Sequence, residues 1–368
     1  KIARRMRLNA DDTQQLEFLV RSHLILNHTA FRRDIEDEKL VIDFAKAMGS
    51  VGNLKMLYLL TYVDMRAVGP EVWNNWRGSL LEDLYLQSLK VLEAQEKGGF
   101  RREDRRSKVR RIQARVRRRL ARKYPAERVR AFFQSMPERY FLTTPEEQIP
   151  GHFEMMENFT DQAYLSTVSQ FAEREYSEMA ICARDRPGLF ALITGVFAAM
   201  GLDILSARIT TRKDGLILDV FRVSHMGRPE VVMDPQKWAR VRALLEQVLA
   251  GSIDVARLVE ESGRPSLFKK RAPKVPTVIH IDNEASDEFT IVEVYTQDRI
   301  GVLFAITYGM HQLGIVIHLA KISTNVDQVA DVFYVADEQG GKIRDPQRLE
   351  TIRQTLYRNL VSAGEGVA

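Results

Sequence analysis

One cysteine, Cys182, stands in 368 residues. A lone thiol excludes an internal disulfide framework and any zinc site built from several cysteines. Long apolar runs are also missing. The most apolar stretch, around Leu189–Leu202, is broken by Thr194 and Gly195 and is too short to span a bilayer. The opening residues KIARRMRLNADD are basic but have no apolar core, so no secretory signal is expected from them. With 45% apolar residues, the chain reads as soluble and cytosolic, without a membrane partner. Its length predicts two or three domains. It opens on Lys1 rather than Met, as expected of part of a longer reading frame.

Acidic residues are scarce in one place. Residues 101–130 hold 15 Lys/Arg against 3 Asp/Glu, more than the whole net charge of +5. The basic character therefore belongs to one segment, and the remainder is net acidic. Aromatics are almost absent from that segment before Tyr124, which argues against base stacking. A solvated basic helix is expected, with an acidic partner or RNA as the rival; nucleic acid is not expected as a partner.

What is present is an internal repeat. Residues 183–221 and 296–333 align: Asp185, Arg186 and Gly188 with Asp298, Arg299 and Gly301; Gly201, Ala207 and Thr211 with Gly314, Ala320 and Thr324. Asp219-Val220-Phe221 returns as Asp331-Val332-Phe333. Each copy changes period. An alternating β run precedes the Asp-Arg-x-Gly turn, and an apolar helix follows to Gly201 or Gly314. In the first copy come strands at Ile204–Thr211 and Leu216–Val223, hinged at Lys213-Asp214-Gly215, then an amphipathic helix at Pro235–Leu249. The second copy has its helix at Pro346–Leu360. The class is α+β: a helical N-terminal region, then two ferredoxin-like βαββαβ units, with strand 277–283 completing the first. Residues 11–97 read as helical throughout, 101–123 as a basic helix, and 151–171 as a helix leading into the repeats.

The turn has a chemistry. Backbone amides at a helix N-terminus favour a carboxylate. Gly188 and Gly301 allow positive φ or close approach, and Asp185 and Asp298 can cap the helix or hold an ammonium. A zwitterionic amino acid suits these parts; a plain capping turn uses the same residues.

Both copies resemble ACT domains, small amino-acid-binding regulatory modules. The resemblance implies ligand loops at Asp185, Arg186, Pro187, Gly188 and Leu189, and at Asp298, Arg299, Ile300, Gly301 and Val302. Ile300 replaces the proline of the first copy and leaves the second turn less rigid.

Three helical segments, LEFLVRSHLILNHTAFRRDIED (16–37), LYLLTYVDMRAVGPEVWNNWRGSLLEDLY (57–85) and MPERYFLTTPEEQIPGH (136–152), followed by two ACT copies, resemble the C-terminal part of bifunctional uridylyltransferase/uridylyl-removing enzymes. The resemblance implies an HD-type phosphohydrolase end at 1–97, a basic helical connector at 98–175, ACT domains at 176–263 and 287–363, and a linker at 264–276. It also implies Mg or Mn as cofactor, with Asp64 and His23 as metal residues; bland readings of both, as an ion-paired surface Asp and a packed helix His, stay open. Implied partners are the nitrogen regulatory protein PII, glutamine as effector, and UTP or UMP in the complete enzyme. None of the seven histidines precedes an aspartate, and no Gly-Ser turn leads into Asp-x-Asp. Neither catalytic site is therefore expected to be complete in this chain. A non-catalytic amino-acid sensor and a regulatory region of a ppGpp synthetase/hydrolase remain alternatives.

Overall fold

The computed structural model describes residues 2–69, 72–98, 104–160, 162–262, 275–325 and 328–365. The expected linker at 264–276 lies outside the described residues as far as 274. The chain divides into two compact units, Lys1–Asp104 and Arg105–Ala368. This division falls a few residues beyond the expected end of the first domain at 97.

The first unit is helical: α1 (Ile2–Arg5), α2 (Ala10–Ser22), α3 (Ile25–Arg32), α4 (Glu38–Met48), α5 (Val51–Val68) and α6 (Asn75–Glu96). Helices α2, α4, α5 and α6 start where short polar side chains satisfy first-turn amides. Asn9 accepts from Asp12 N, Asp37 from Lys39 N, Ser50 from Asn53 N and Asn74 from Arg77 N. The core is aliphatic, with Leu26, Ala45, Leu54, Leu57, Leu81 and Leu84 buried. Trp76 is buried in α6, but Trp73 precedes the helix and meets Tyr62 edge-on at 4.9 Å. Met56, Leu59, Leu60 and Val63 form an exposed apolar stripe along α5.

The second unit begins with α7 (Arg105–Leu120), α8 (Ala126–Ser135), α9 (Glu138–Thr143) and α10 (Ile149–Glu157). The first repeat follows as β1 (Tyr164–Phe171), β2 (Tyr176–Arg184), α11 (Leu189–Ala199), β3 (Leu202–Thr211), β4 (Leu216–His225), α12 (Pro235–Leu249) and α13 (Val255–Ser262). The second is β5 (Val278–Asp282), β6 (Thr290–Gln297), α14 (Val302–Gln312), β7 (Val316–Lys321), β8 (Thr324–Asn325), β9 (Gln328–Ala336) and α15 (Pro346–Glu365). One antiparallel sheet runs β1-β2-β4-β3-β7-β9-β6-β5, with β8 on β9.

The α+β class stands, and the strand order is corrected. In each repeat the fourth strand comes first. The helix expected over 151–171 stops at Glu157, and Tyr164–Phe171 forms β1 against β2. Strand 278–282 does not complete the first copy; it pairs with β6 through Val278–Tyr295 and Ile279–Val294. The short connection from β5 to β6 makes that antiparallel neighbour the easy one to reach, and β1 has already taken the matching edge of the first repeat.

The repeats join side by side. β3 pairs with β7 through Ser206–Lys321, Ala207–Ala320 and Arg208–Leu319. Ala207 and Ala320 are repeat equivalents facing each other, so a local two-fold runs between them. Thr194 and Thr307, also equivalents, place their hydroxyls 3.2 Å apart.

Two layers clothe the sheet. α11–α15 pack one face over a core including Ile181, Phe197, Phe221, Ile306 and Phe333. The opposite face of the first repeat is covered by α7–α10, whose Val116, Phe132 and Phe153 meet Ala180, Cys182 and Leu218. Alternation along β2 sends Met179 and Ile181 one way and Ala180 and Cys182 the other, the signature of a strand buried on both faces. The basic helix is thus only half solvated. Val109, Ile112, Val116 and Leu120 are buried, while Arg115 pairs with Glu146 and Arg105 with Glu288. Arg106, Arg110, Arg118 and Arg119 are exposed.

Gly195 lies where α11 crosses its neighbours. A methyl there would overlap Val255 of α13 and come within 3.2 Å of Phe304 of α14. Because valine is stiff at χ1, Gly195→Ala is expected to cost about 2 kcal/mol through overpacking. Urea unfolding measures the loss; unchanged stability would show that this crossing is loose.

Candidate functional site

The two turns are built alike. Asp185 N donates to Gly215 O at 2.9 Å, anchoring the end of β2 to the β3–β4 hairpin. Leu189 N donates to Arg186 O and Val302 N to Arg299 O, closing each turn. Gly188 at φ +74° and Gly301 at φ +82° then open α11 and α14. These left-handed angles are what glycine supplies without a Cβ clash. The first-turn amides beyond them have no intrahelical acceptor.

The arginines have a structural task in both copies. Arg186 Nη1 donates to Leu249 O at 2.6 Å and Arg299 Nη2 to Leu360 O at 3.0 Å. Each guanidinium therefore ties its turn to a backbone carbonyl of the second helix in its own repeat; Leu249 ends α12, where the orphan carbonyls and the helix dipole favour a cation, while Leu360 lies one turn short of the end of α15. Leu189 and Val302 are buried, Pro187 is exposed, and Ile300 is half-buried.

Asp185 and Asp298 have exposed side chains. Partial desolvation raises the Asp185 pKa, against an opposing bond from Arg186 N. Under each turn lies a second carboxyl that sequence reasoning left without a role. Asp219 is buried, its Oδ1 has no hydrogen-bond partner, and burial, followed by the Asp185 charge, pushes its pKa well up. Asp331 repeats the pattern. Its Oδ1 accepts from Ser323 N at 3.3 Å and its Oδ2 has no partner; burial raises its pKa, with Asp298 adding to the effect. The signal was visible as an aspartate within an apolar run, occurring twice at equivalent positions.

Each turn faces the other repeat, and the two clefts differ. Gly188 sits beside the ring of His311, at the end of α14; a Cβ on the glycine would be 3.1 Å from His311 Cδ2. Ala198 is the repeat equivalent of His311. At the second turn Val259 of α13 occupies the space against Gly301 instead. Asp203, at the start of β3, lies close enough to Asp298 to feel its charge; burial is the larger cause of its raised pKa. The equivalent of Asp203 is Val316.

His23 ends α2 at the surface, with Nδ1 2.9 Å from Val20 O. It is therefore not the packed core residue of the bland expectation. Asp64 is exposed on α5, and the neighbouring Arg66 bonds Tyr62 Oη at 2.6 Å. Among the described residues no group of three or more His, Cys, Asp or Glu side chains could hold a metal, so Asp64 and His23 do not make a coordination set by themselves. Nor is any described helix long and apolar enough to cross a membrane.

The ACT domain model matches residues 179–234, and a model of an ACR9-like, ACT-like domain matches residues 278–363. Over 97% of its length the chain is 36% identical to a bifunctional uridylyltransferase/uridylyl-removing enzyme of Gluconobacter oxydans, covering 37% of that protein. It is 34% identical over 98% of its length to the enzyme of the same name from Azospirillum brasilense, covering 38% of it. The figures for the Rhodospirillum rubrum enzyme are 34%, 97% and 38%. The chain thus spans a little over a third of the length of these curated relatives. The resemblance drawn from the repeats and the helical segments is borne out.

The buried carboxyls give a signed pH prediction. Their folded-state pKa values lie above the unfolded ones. Stability from the protonated forms is complete below the unfolded pKa and is lost as pH rises through the folded one. Asp219→Asn and Asp331→Asn, which remove the cost of ionising a buried group, should each stabilise the chain at pH 8 and flatten the fall in stability from pH 5 to 8. Thermal melts across that range check it; a variant less stable than the parent at pH 8 would mean that the carboxylate is satisfied in the fold.

Proposed function

We propose that a chain similar over nearly its whole length to bifunctional uridylyltransferase/uridylyl-removing enzymes is their amino-acid-sensing region, and that glutamine is the effector. The observation that carries this is the position of both Asp-Arg-x-Gly turns, each facing the other repeat. A ligand in either cleft touches both repeats and so favours one arrangement of the pair over another. The glutamine carboxylate would lie on the first-turn amides of α11 or α14, and its ammonium would face Asp185 or Asp298. Leu189 and Val302 supply the apolar floor, while Arg186 and Arg299 hold the turns rather than the ligand.

In the complete enzyme, by this proposal, UTP serves to uridylylate PII when glutamine is low, and the UMP is removed when glutamine is high. The helical unit would be the end of an HD-type hydrolase domain. Asp64 and His23 would contribute one edge of a Mg or Mn site, where a bound metal supplies an activated water for phosphodiester hydrolysis. The other ligands and the transferase site would belong to the part of the relatives that this chain does not cover. The exposed stripe of Met56, Leu59, Leu60 and Val63 supports a helical unit that packs against further protein. The chain alone would then have neither activity. Similarity to the uridylylating enzymes over both halves favours this proposal over a ppGpp synthetase/hydrolase.

Calorimetry of the 368-residue chain with glutamine and with glutamate tests the sensor. Saturable heat with glutamine is expected, with glutamate at least about tenfold weaker, since an extra carboxylate beside the turn aspartates is repelled. Asp185→Ala and Asp298→Ala, made separately, should show which cleft responds. No heat with glutamine while circular dichroism shows an intact fold would overturn the proposal.

A further inference from the structure

A helix present in only one repeat makes the two turn clefts unlike. α13 crosses α11 at Gly195, where a Cβ would overlap Val255 Cγ2. The missing side chain is therefore what admits the helix. On α14 the repeat equivalent of Gly195 is Tyr308, which is 45% exposed and stacks on Phe304 at 5.7 Å. A ring stands there instead of a crossing helix. Among the described residues, nothing corresponding to α13 reaches the turn at Gly188.

Four residues beyond Val255, and on the same face of α13, Val259 reaches the turn at Gly301. A Cβ on that glycine would overlap Val259 Cγ1, and the valine is 7% exposed. This turn therefore faces a buried methyl group. An amino-acid carboxylate brought against it loses water and gains no hydrogen bond from that wall. The Asp203 charge, felt at Asp298, opposes a carboxylate further.

The turn at Gly188 has a polar wall instead. His311 of the second repeat is half-buried, and its Nε2 would lie 3.3 Å from a Cβ on Gly188. An imidazole carries at least one N–H donor in either protonation state. Val316 takes the place of Asp203 here, so the opposing carboxylate is absent. Beneath the turn, Asp219 is 2% exposed and its Oδ1 has no partner.

We propose that the amino acid binds at the Gly188 turn alone, with His311 from the other repeat as its side-chain partner, and that Val259 of α13 keeps the Gly301 turn shut. This rests on the proposed sensor function. A ligand so placed would bridge α11 of the first repeat to the end of α14 of the second, and would favour the arrangement that holds them together.

Amide and histidine-ring NMR of the 368-residue chain titrated with glutamine tests it. Saturable shifts are expected at the Phe190 and Ala191 amides, which open α11, and at the His311 ring. Leu303 and Phe304, which open α14, should stay unmoved. His311→Ala should weaken binding about tenfold by removing a hydrogen bond to a charged group. His311→Gln keeps an N–H donor and should retain most of the affinity, which covers the case of a misfolded alanine variant. Val259→Ala should bring Leu303 and Phe304 into the titration. Shifts at those two amides in the parent, equal affinity in His311→Ala and the parent, or a silent Gly301 turn in Val259→Ala would overturn the assignment while leaving the chain a glutamine sensor. No saturable shift at either turn would overturn the sensor function and the assignment together.

Discussion

Antiparallel pairing of β3 with β7 is the contact on which the second unit depends. Each repeat alone would end in an unpaired edge strand, open to association with other chains. Paired, the two edges vanish into one sheet, and the seam lies at its centre. Ala207 and Ala320 meet at the local two-fold, and the Thr194–Thr307 hydroxyl contact marks the same symmetry in the helical layer. The pairing also brings the turn of one repeat against the other, so the clefts exist only because the repeats are joined.

The duplication is not copied through to the chemistry. Both turns keep the positive-φ glycine, the arginine tied to a carbonyl of the repeat's second helix and the buried aspartate beneath. Their surroundings have diverged. His311 faces one turn; Val259 and the Asp203 charge attend the other. Two sites of equal affinity would need like surroundings, and these are unlike in polarity and in room. The helical layer breaks the symmetry further, since α7–α10 cover the first repeat, while the second receives chiefly the Arg105 and Arg139 contacts to Glu288 and the stacking of Arg139 on Phe289.

The repeat was legible in the sequence because its turns demand glycine and its period changes from two to that of a helix at a fixed residue. The helix at Pro235–Leu249 was legible from its amphipathic spacing, and Asp234 caps its start by accepting from Gln236 N. The edge strand Tyr164–Phe171 was not legible. Ser166, Thr167, Ser169 and Gln170 break the apolar alternation, and only pairing with β2 settles its conformation. Which repeat would own Val278–Asp282 turned on that same hidden strand, since β1 closes the edge of the first repeat and leaves β5 to its neighbour β6. The buried face of α7 was written at helical spacing in Val109, Ile112, Val116 and Leu120, but the surrounding arginines hid it. Of the candidate site, the turn residues are adjacent in the sequence and so could be read there as one motif, while Asp219, Asp331, Asp203 and His311 needed the fold to bring them to the turns.

Hydrogen exchange at the seam measures the central claim most directly. Amides of residues 206–208 and 319–321 should be protected as strongly as those of β4 and β9, since central strands open only with the whole unit. Rapid exchange at these residues, at the rate of an exposed edge strand, would show that the repeats are not joined through β3 and β7 and that the clefts between them do not exist.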